Sequence, residues 1–519
     1  MEKFIKLEAA NPMSLSVESS TILMKNIEQG FCSYYSRGLW HYCLKEYSKA
    51  IAVFNNVILD CKEDIIAGMT VEPIKVYFYR GLSYYYSHDF ESAISDYNKT
   101  IEINPKYALL YYYRGLAYFY SNDLSKALSD VTTALESEHI YYEDYVLKIY
   151  FNATDAYIYR GFIHYNLKDY SSSISDYSKA IQLNPKYELA YFLRGKVNFI
   201  LDDFPSAKSD FTNAIDANPE YIEAYINRGN TYIKLQHYSY ALIDFEKAIE
   251  LNNNSAEAYF SRGFFYHYCI VEFSEYSIEP DIIIDGIKIE ENEPPNSDDY
   301  DEDGEYVDIF KPSFDEDGDL IDNPVDNFYD PYYIDCKKAI SDYNKAILLN
   351  PKYAEAYYYR GLIYSTMYLY HEDNEYYDIN RAIADFKIAL DINKEYEEAY
   401  YALGEAYMVS EKFLEAIYNF TKVIELNSNN IESFNKRGNS FLSMNDYCKS
   451  LLDFNKVIEM FHNGKGEHIK HDKYEIFRNR GLANYYSGNK SQACEDWHIA
   501  ASLGDSSARK LIKQFCENN

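Results

Sequence analysis

The chain has 519 residues, 47% of them hydrophobic and 25% charged, a balance that folds around an apolar core and excludes an intrinsically disordered chain. No eighteen consecutive apolar residues occur, which excludes a membrane-spanning helix, and a formal net charge of -32 sets the chain against nucleic-acid phosphate. The start, MEKFIKLEAANPMSLS, lacks an apolar run of signal-peptide length, so a cytoplasmic location is expected.

In chain order, residues 1–27 show no clear period and form an N-terminal arm, helical from about Ser20. Beyond it a glycine recurs at 38, 81, 115, 161, 195, 229, 263, 361, 404, 438 and 481, which makes eleven units. From Gly161 to Gly263 the spacing is a constant 34 residues, and a fixed period of that length marks a repeat array. Within each unit two patterns of apolar residues, spaced by three and four, flank a short polar turn such as Lys168-Asp169-Tyr170, so each unit is a helical hairpin. Glycine inside a helix costs about 1 kcal/mol against alanine, and its recurrence implies that another helix approaches closely there. Twelve residues later stands a small residue (Ser173, Ala207, Ala241), then an aromatic (Tyr177, Phe211, Phe245), then alanine (Ala180, Ala214, Ala248). Small and large side chains alternating in this way suit interlocking helices.

Wider spacings leave insertions of 9, 12, 64, 9 and 9 residues over the period. They fall near 62–70, near 137–151, inside the seventh hairpin, near 371–378 and within HNGKGEHIKH before the eleventh unit. The segments are units 1 to 7 through the first helix of unit 7 (28–268), an insertion (269–335), the rest of unit 7 with units 8 to 11 (336–507), and a terminal helix (506–517). That last helix would be capped by Asp505 or Ser506 and carry Ala508, Leu511, Ile512 and Phe515 on one face.

The unit resembles the tetratricopeptide repeat in its period and in its Gly, Tyr, Ala, aromatic, Ala and Pro marks, with Pro185 and Pro219 closing two units. The resemblance implies an all-α, right-handed superhelical solenoid of about eleven hairpins, interrupted by an acidic insertion, and a protein–protein interaction scaffold without catalysis. It also implies that first helices line a concave groove holding a peptide or protein segment. Carried over, the groove residues are Phe78, Tyr79, Leu82, Tyr85, Tyr112, Tyr113, Leu116, Phe119, Tyr159, Phe162, Phe192, Asn227 and Asn230, with Ile158, Leu193 and Phe199 beside them. From the sixth unit on the groove turns acidic, with Glu223, Glu257, Glu355, Glu398, Glu432 and Glu475 each six residues before the glycine. The family's clamp for a chaperone's terminal carboxylate is not matched: Asn227 fits its central asparagine, while Phe192, Lys196, Glu257 and Ser261 stand where its other residues belong.

The insertion carries 23 Asp and Glu against two Lys between Glu272 and Asp335. Its Asp-Gly turns between apolar runs (DIIIDGIKIE, YDEDGEYVD, FDEDGDLID) read as β-hairpins. Asp299, Asp301, Asp303 and Gly304 match the start of a calcium loop, but Phe310 stands where its bidentate glutamate belongs. A second reading of the chain therefore gives this insertion a calcium-responsive or enzymatic role. Elsewhere no phosphate loop, zinc-protease helix, nucleophile elbow or dinucleotide fingerprint occurs, and no catalytic residue, metal ligand or cofactor is assigned. His462, His468 and His471 read as a solvated loop, and the eight scattered cysteines, without a C-x-x-C pair, as free thiols packed in helices.

One feature departs from the family. Ten units place Arg before the glycine (Arg37, Arg80, Arg114, Arg160, Arg194, Arg228, Arg262, Arg360, Arg437, Arg480), and nine of those ten place Asp three residues after the small residue of the second helix. In the ninth unit Leu403 replaces the Arg and Asn419 replaces the Asp. Joint loss implies contact, so each Arg is expected to pair with the Asp of its own hairpin, as Arg228 with Asp244, to fix register rather than bind ligand.

Overall fold

A computed structural model of the chain describes residues 34–60, 73–137, 151–275, 336–365, 378–462 and 473–516. Among these stand 23 helices and no strand. They divide into two units, Met1–Leu235 and Gln236–Asn519. The first holds α1 (Tyr34–Cys43), α2 (Tyr47–Asp60), α3 (Pro73–Tyr86), α4 (Phe90–Ile103), α5 (Ala108–Tyr120), α6 (Leu124–Glu136), α7 (Ala153–Asn166), α8 (Tyr170–Leu183), α9 (Glu188–Ile200), α10 (Phe204–Ala217) and α11 (Ile222–Lys234). The second holds α12 (Tyr238–Leu251), α13 (Ala256–Glu275), α14 (Cys336–Leu349), α15 (Ala354–Ser365), α16 (Ile379–Ile392), α17 (Glu397–Val409), α18 (Phe413–Leu426), α19 (Ile431–Ser443), α20 (Tyr447–His462), α21 (Lys473–Tyr486), α22 (Lys490–Ser502) and α23 (Ser506–Phe515).

The hairpin turn has one construction. After α7, Lys168 takes a φ of 61°, its N–H donating to the Tyr165 carbonyl and the next N–H, of Asp169, to His164. This pair of bonds closes a helix on a left-handed residue. Asp169 then accepts the Ser172 N–H at 3.2 Å and caps α8. Lys45, His88, Asn122, Asp202, Gln236, Glu411 and Asn445 repeat the left-handed residue, with φ between 57° and 65°. Successive hairpins are joined differently: the side-chain oxygen of Asn184 accepts the Lys186 N–H at 3.2 Å across Pro185, and Asn104, Asn218, Asn252, Asn350, Asn393 and Asn427 do the same.

The core runs between paired helices. A Cβ added to Gly161 would lie 2.7 Å from the Tyr177 ring, and one added to Gly404 would lie 2.7 Å from Phe420, so the close approach read from the glycines holds. The approaching helix is the second of the same hairpin. The small residues Ala207, Ala241, Ala382 and Ala416 and the aromatics Tyr177, Phe211, Phe245 and Phe420 are all buried. At the chain's end Asp505 caps α23, accepting from Ser507 and Ala508, while Ala508, Leu511, Ile512 and Phe515 pack on Trp497 and its neighbours.

Two expectations are corrected. The helical pattern does not stop at Tyr268, because α13 continues to Glu275. Nor are all cysteines free: Cys494 and Cys516 form a disulfide joining α22 to the end of α23, while Cys43, Cys336 and Cys448 remain thiols. Facing helices brought these two together, a proximity that 22 residues of separation hides in sequence. The N-terminal arm, the β-hairpins and calcium-like loop of the insertion, the other loop insertions and His468 and His471 lie outside the described residues. Among those described, no helix is long and apolar enough to cross a membrane, and no group of three or more His, Cys, Asp or Glu is placed to hold a metal.

Candidate functional site

Among the described residues the arginine ladder is seen within eight hairpins. Arg80 with Asp96, Arg114 with Asp130, Arg160 with Asp176, Arg194 with Asp210, Arg262 with Asp342, Arg360 with Asp385, Arg437 with Asp453 and Arg480 with Asp496 each donate from Nε and Nη2 to the two carboxylate oxygens, at 2.5–3.0 Å. Arg228 and Asp244, the pair taken as the example above, stand in different units, each of which is described by itself. A third partner was not foreseen. Nη1 donates to a polar side chain of the preceding hairpin's second helix: Asn55, Asn98, Thr132, Ser178, Thr212, Asn344, Thr421 and Asn455 receive Arg80, Arg114, Arg160, Arg194, Arg228, Arg360, Arg437 and Arg480 at 2.5–3.5 Å. An aromatic ring three residues earlier, such as Tyr111 under Arg114 at 5.4 Å, covers the guanidinium face.

The carboxylates are buried and the guanidinium groups mostly so, with side chains 4% and 25% exposed for Asp210 and Arg194. Burial, opposed by the arginine, lifts Asp96, Asp210 and Asp342 above the usual carboxylate range. These arginines are committed to the fold and offer little to a ligand.

Burial also distinguishes the residues expected to line the groove. Phe78, Tyr79, Leu82, Tyr85, Tyr112, Tyr113, Leu116, Phe119, Tyr159 and Phe192 are all buried. They interlock between helices: Phe78 lies edge-on to Tyr113 at 5.8 Å, Tyr85 meets Phe90 at the same distance, and Tyr112 meets Tyr159 at 5.9 Å. The sequence did not separate these positions from surface ones, because the same three- and four-residue spacing serves both. Phe162, Asn227 and Asn230 remain half-buried, Phe162 packing on Phe119 at 5.6 Å and Asn227 donating to the Glu223 carbonyl at 2.7 Å.

The accessible side chains of the first helices include part of the expected set and others beside it. In the first unit they are half-buried Phe162, Asn227 and Asn230 with exposed Lys196 and Lys234. In the second, Glu355, Glu398 and Glu432 are exposed, while Lys436 pairs with Glu405 of the preceding hairpin at 2.7 Å and Asn479 donates to Asn439 at 2.9 Å. Glu475 is drawn toward Asn479 and Arg478, at 3.3 and 3.8 Å. In the fourth hairpin the equivalent acid, Asp155, accepts from Tyr187 and Asn152, and burial raises its pKa.

Comparison with known proteins gives five matches to repeat families, described as Tetratricopeptide repeat over residues 74–107, 154–187, 222–255 and 397–430, and as TPR repeat over 335–367. No curated protein matches the chain. Among solved structures, YrrB, "a TPR protein with an unusual peptide-binding site", is 22% identical over 40% of this chain and 95% of its own, with a TM-score of 0.31. The C-terminal part of a TPR repeat-containing protein from Cytophaga hutchinsonii is 15% identical, covering 62% of this chain and 97% of its own, with a TM-score of 0.40. The human IFIT1 dimer with PPP-AAAA is 13% identical over 88% of this chain and 95% of its own, with a TM-score of 0.41. Four of the matched segments coincide with helical hairpins that carry the glycine, aromatic and alanine marks, the match over 335–367 joins the second helix of the seventh hairpin to the first of the eighth, and the chain carries tetratricopeptide repeats over these segments.

Proposed function

We propose that the protein is a non-catalytic scaffold that holds a peptide or protein segment along the accessible stripe of its first helices. Repeats of this family serve as protein-interaction scaffolds, and one observation supports their use here. Glycine, aromatic, arginine and aspartate recur at fixed places in the fold, whereas two places before and one after the glycine, the residue type changes as the side chains emerge: Phe162, Lys196, Asn227, Asn230, Glu405, Lys436 and Asn439. A face that varies over an invariant frame is free to select a partner. The acidic residues Glu355, Glu398 and Glu432 favour a segment bearing lysine or arginine opposite the second unit.

A cytoplasmic setting is supported by the thiols of Cys43, Cys336 and Cys448, and the Cys494–Cys516 bond is the one feature such a setting would open. The test is photo-crosslinking from single positions. A crosslinkable residue at Asn230 or Glu398 should capture a protein that one at Leu414 or Leu452, exposed on second helices, does not. Capture from Leu414 and Leu452 alone would overturn the reading and move recognition to the opposite face.

A further inference from the structure

The seventh hairpin carries two metal-binding side-chain types, histidine and cysteine, at one facing pair of positions. In four hairpins the position four after the glycine carries a ring that meets a ring opening the second helix: Tyr42 with Tyr47, Tyr85 with Phe90, Tyr165 with Tyr170 and Phe199 with Phe204 have centroids 5.5–6.0 Å apart. In the seventh hairpin those positions are His267 and Cys336. Its register is the common one, since Arg262 holds Asp342 through two bonds at 2.8 and 2.9 Å and a Cβ on Gly263 would meet Tyr343. His267 and Cys336 therefore face each other, and a cysteine is smaller than the rings that close this space in those four hairpins.

Both are buried, 8% and 7% exposed. The Nδ1 atom of His267 has no hydrogen-bond partner, an unfavourable state for a buried polar atom. Burial also keeps the imidazole neutral, the form that ligates metals. Cys336 is a thiol rather than half of a disulfide.

We propose that His267 and Cys336 form a two-ligand site for a soft monovalent cation of the copper(I) class. Imidazole nitrogen and thiolate sulfur are the donors such an ion prefers, and two donors in line suffice for it, whereas zinc and calcium require four or more. Charge points the same way. On binding, the Cys336 S–H bond breaks, its proton leaves to water, and the thiolate lone pair forms the bond to the cation; one positive and one negative charge cancel, so the buried site stays neutral. A divalent ion would leave a net charge there, which burial opposes.

The test uses the full chain with Cys32, Cys43, Cys61, Cys269 and Cys448 replaced by serine and the disulfide intact, titrated with copper(I) against a competing chelator and with silver(I) as a second probe. One equivalent should bind, and X-ray absorption should show one nitrogen and one sulfur neighbour. His267→Phe restores the ring that Phe199 supplies in its hairpin and should keep the metal-free melting curve while weakening binding at least about 100-fold; Cys336→Ser should do likewise. Sulfur-only coordination, or affinity unchanged by His267→Phe, would overturn the proposal. Should Cys336→Ser fail to fold, the absorption spectrum of the unsubstituted site still decides.

Discussion

Arg194 is held from three directions: by Asp210 of its own hairpin, by Ser178 of the preceding one, and by the face of Tyr191. Removing the aspartate leaves a largely buried guanidinium without its anion, so Asp210→Ala is expected to lower unfolding free energy by about 3 kcal/mol in denaturant titrations. The ninth hairpin shows how the same place is filled without charge, with Leu403 and Asn419 both buried. Arg194→Leu combined with Asp210→Asn is therefore expected to recover most of that loss, to within about 1 kcal/mol of the parent; a double variant as weak as Asp210→Ala would contradict it. The pairing was legible because both partners vanish together. The third partner was not, because asparagine, threonine and serine take turns as acceptor. Yet a trace of it was there: the eighth hairpin, whose neighbour has no arginine, puts Lys387 at the acceptor place, and it reaches over the Tyr407 ring at 5.6 Å.

Titration adds a residue-scale expectation. A carboxyl raised in the fold, as Asp210 is, favours the fold more as pH falls, so it is not a source of acid lability. His267 behaves in the opposite way: burial lowers its pKa from 6.5 to about 4, so its contribution is present above pH 6.5 and is lost as pH falls toward 4. The full loss is about 3 kcal/mol. Thermal unfolding followed between pH 7 and 4.5 should show that decline, and His267→Phe should remove it.

At the scale of the element, the hairpins, their glycines and the capped terminal helix could be read from spacing because each is a contact between residues at fixed intervals. The turn geometry could not, since glycine, the usual signal of a left-handed residue, is missing from eight of the turns. At exposed Lys168, with φ of 61°, a side chain works against its own backbone. Lys168→Gly is expected to raise stability by up to about 1 kcal/mol, checked by the denaturation midpoint at unchanged slope. The burial of the expected groove residues was hidden for a related reason: in a helix rich in aromatics, spacing gives a side chain's direction around the axis but not whether a neighbouring helix already covers it. Tyr79 and Phe162 both read as surface, and only Phe162 keeps a partly open face.

Across the whole molecule, the seventh hairpin shows that local contacts fix the frame. Arg262 and Asp342 are 80 residues apart, yet they meet as Arg437 and Asp453 do across 16. Excising residues 276–335 and joining the helices by a short turn is therefore expected to leave a folded array, because stability in a solenoid depends on adjacent repeats. Circular dichroism and melting check this, with loss of most of the helical signal as the contrary result.

The arginine ladder also has a mechanical consequence. Because Nη1 of one hairpin grips the hairpin before it, these bonds act as rivets along the stack; in the second unit Arg262 has Glu246 at the acceptor place without such a bond, and the arginine itself is missing where Leu403 replaces it, between the eighth and ninth hairpins. Stretched from its ends, the second unit is expected to part first at the Leu403 joint, held by packing and by Lys387 over Tyr407, since Glu246 still attracts Arg262 across the other.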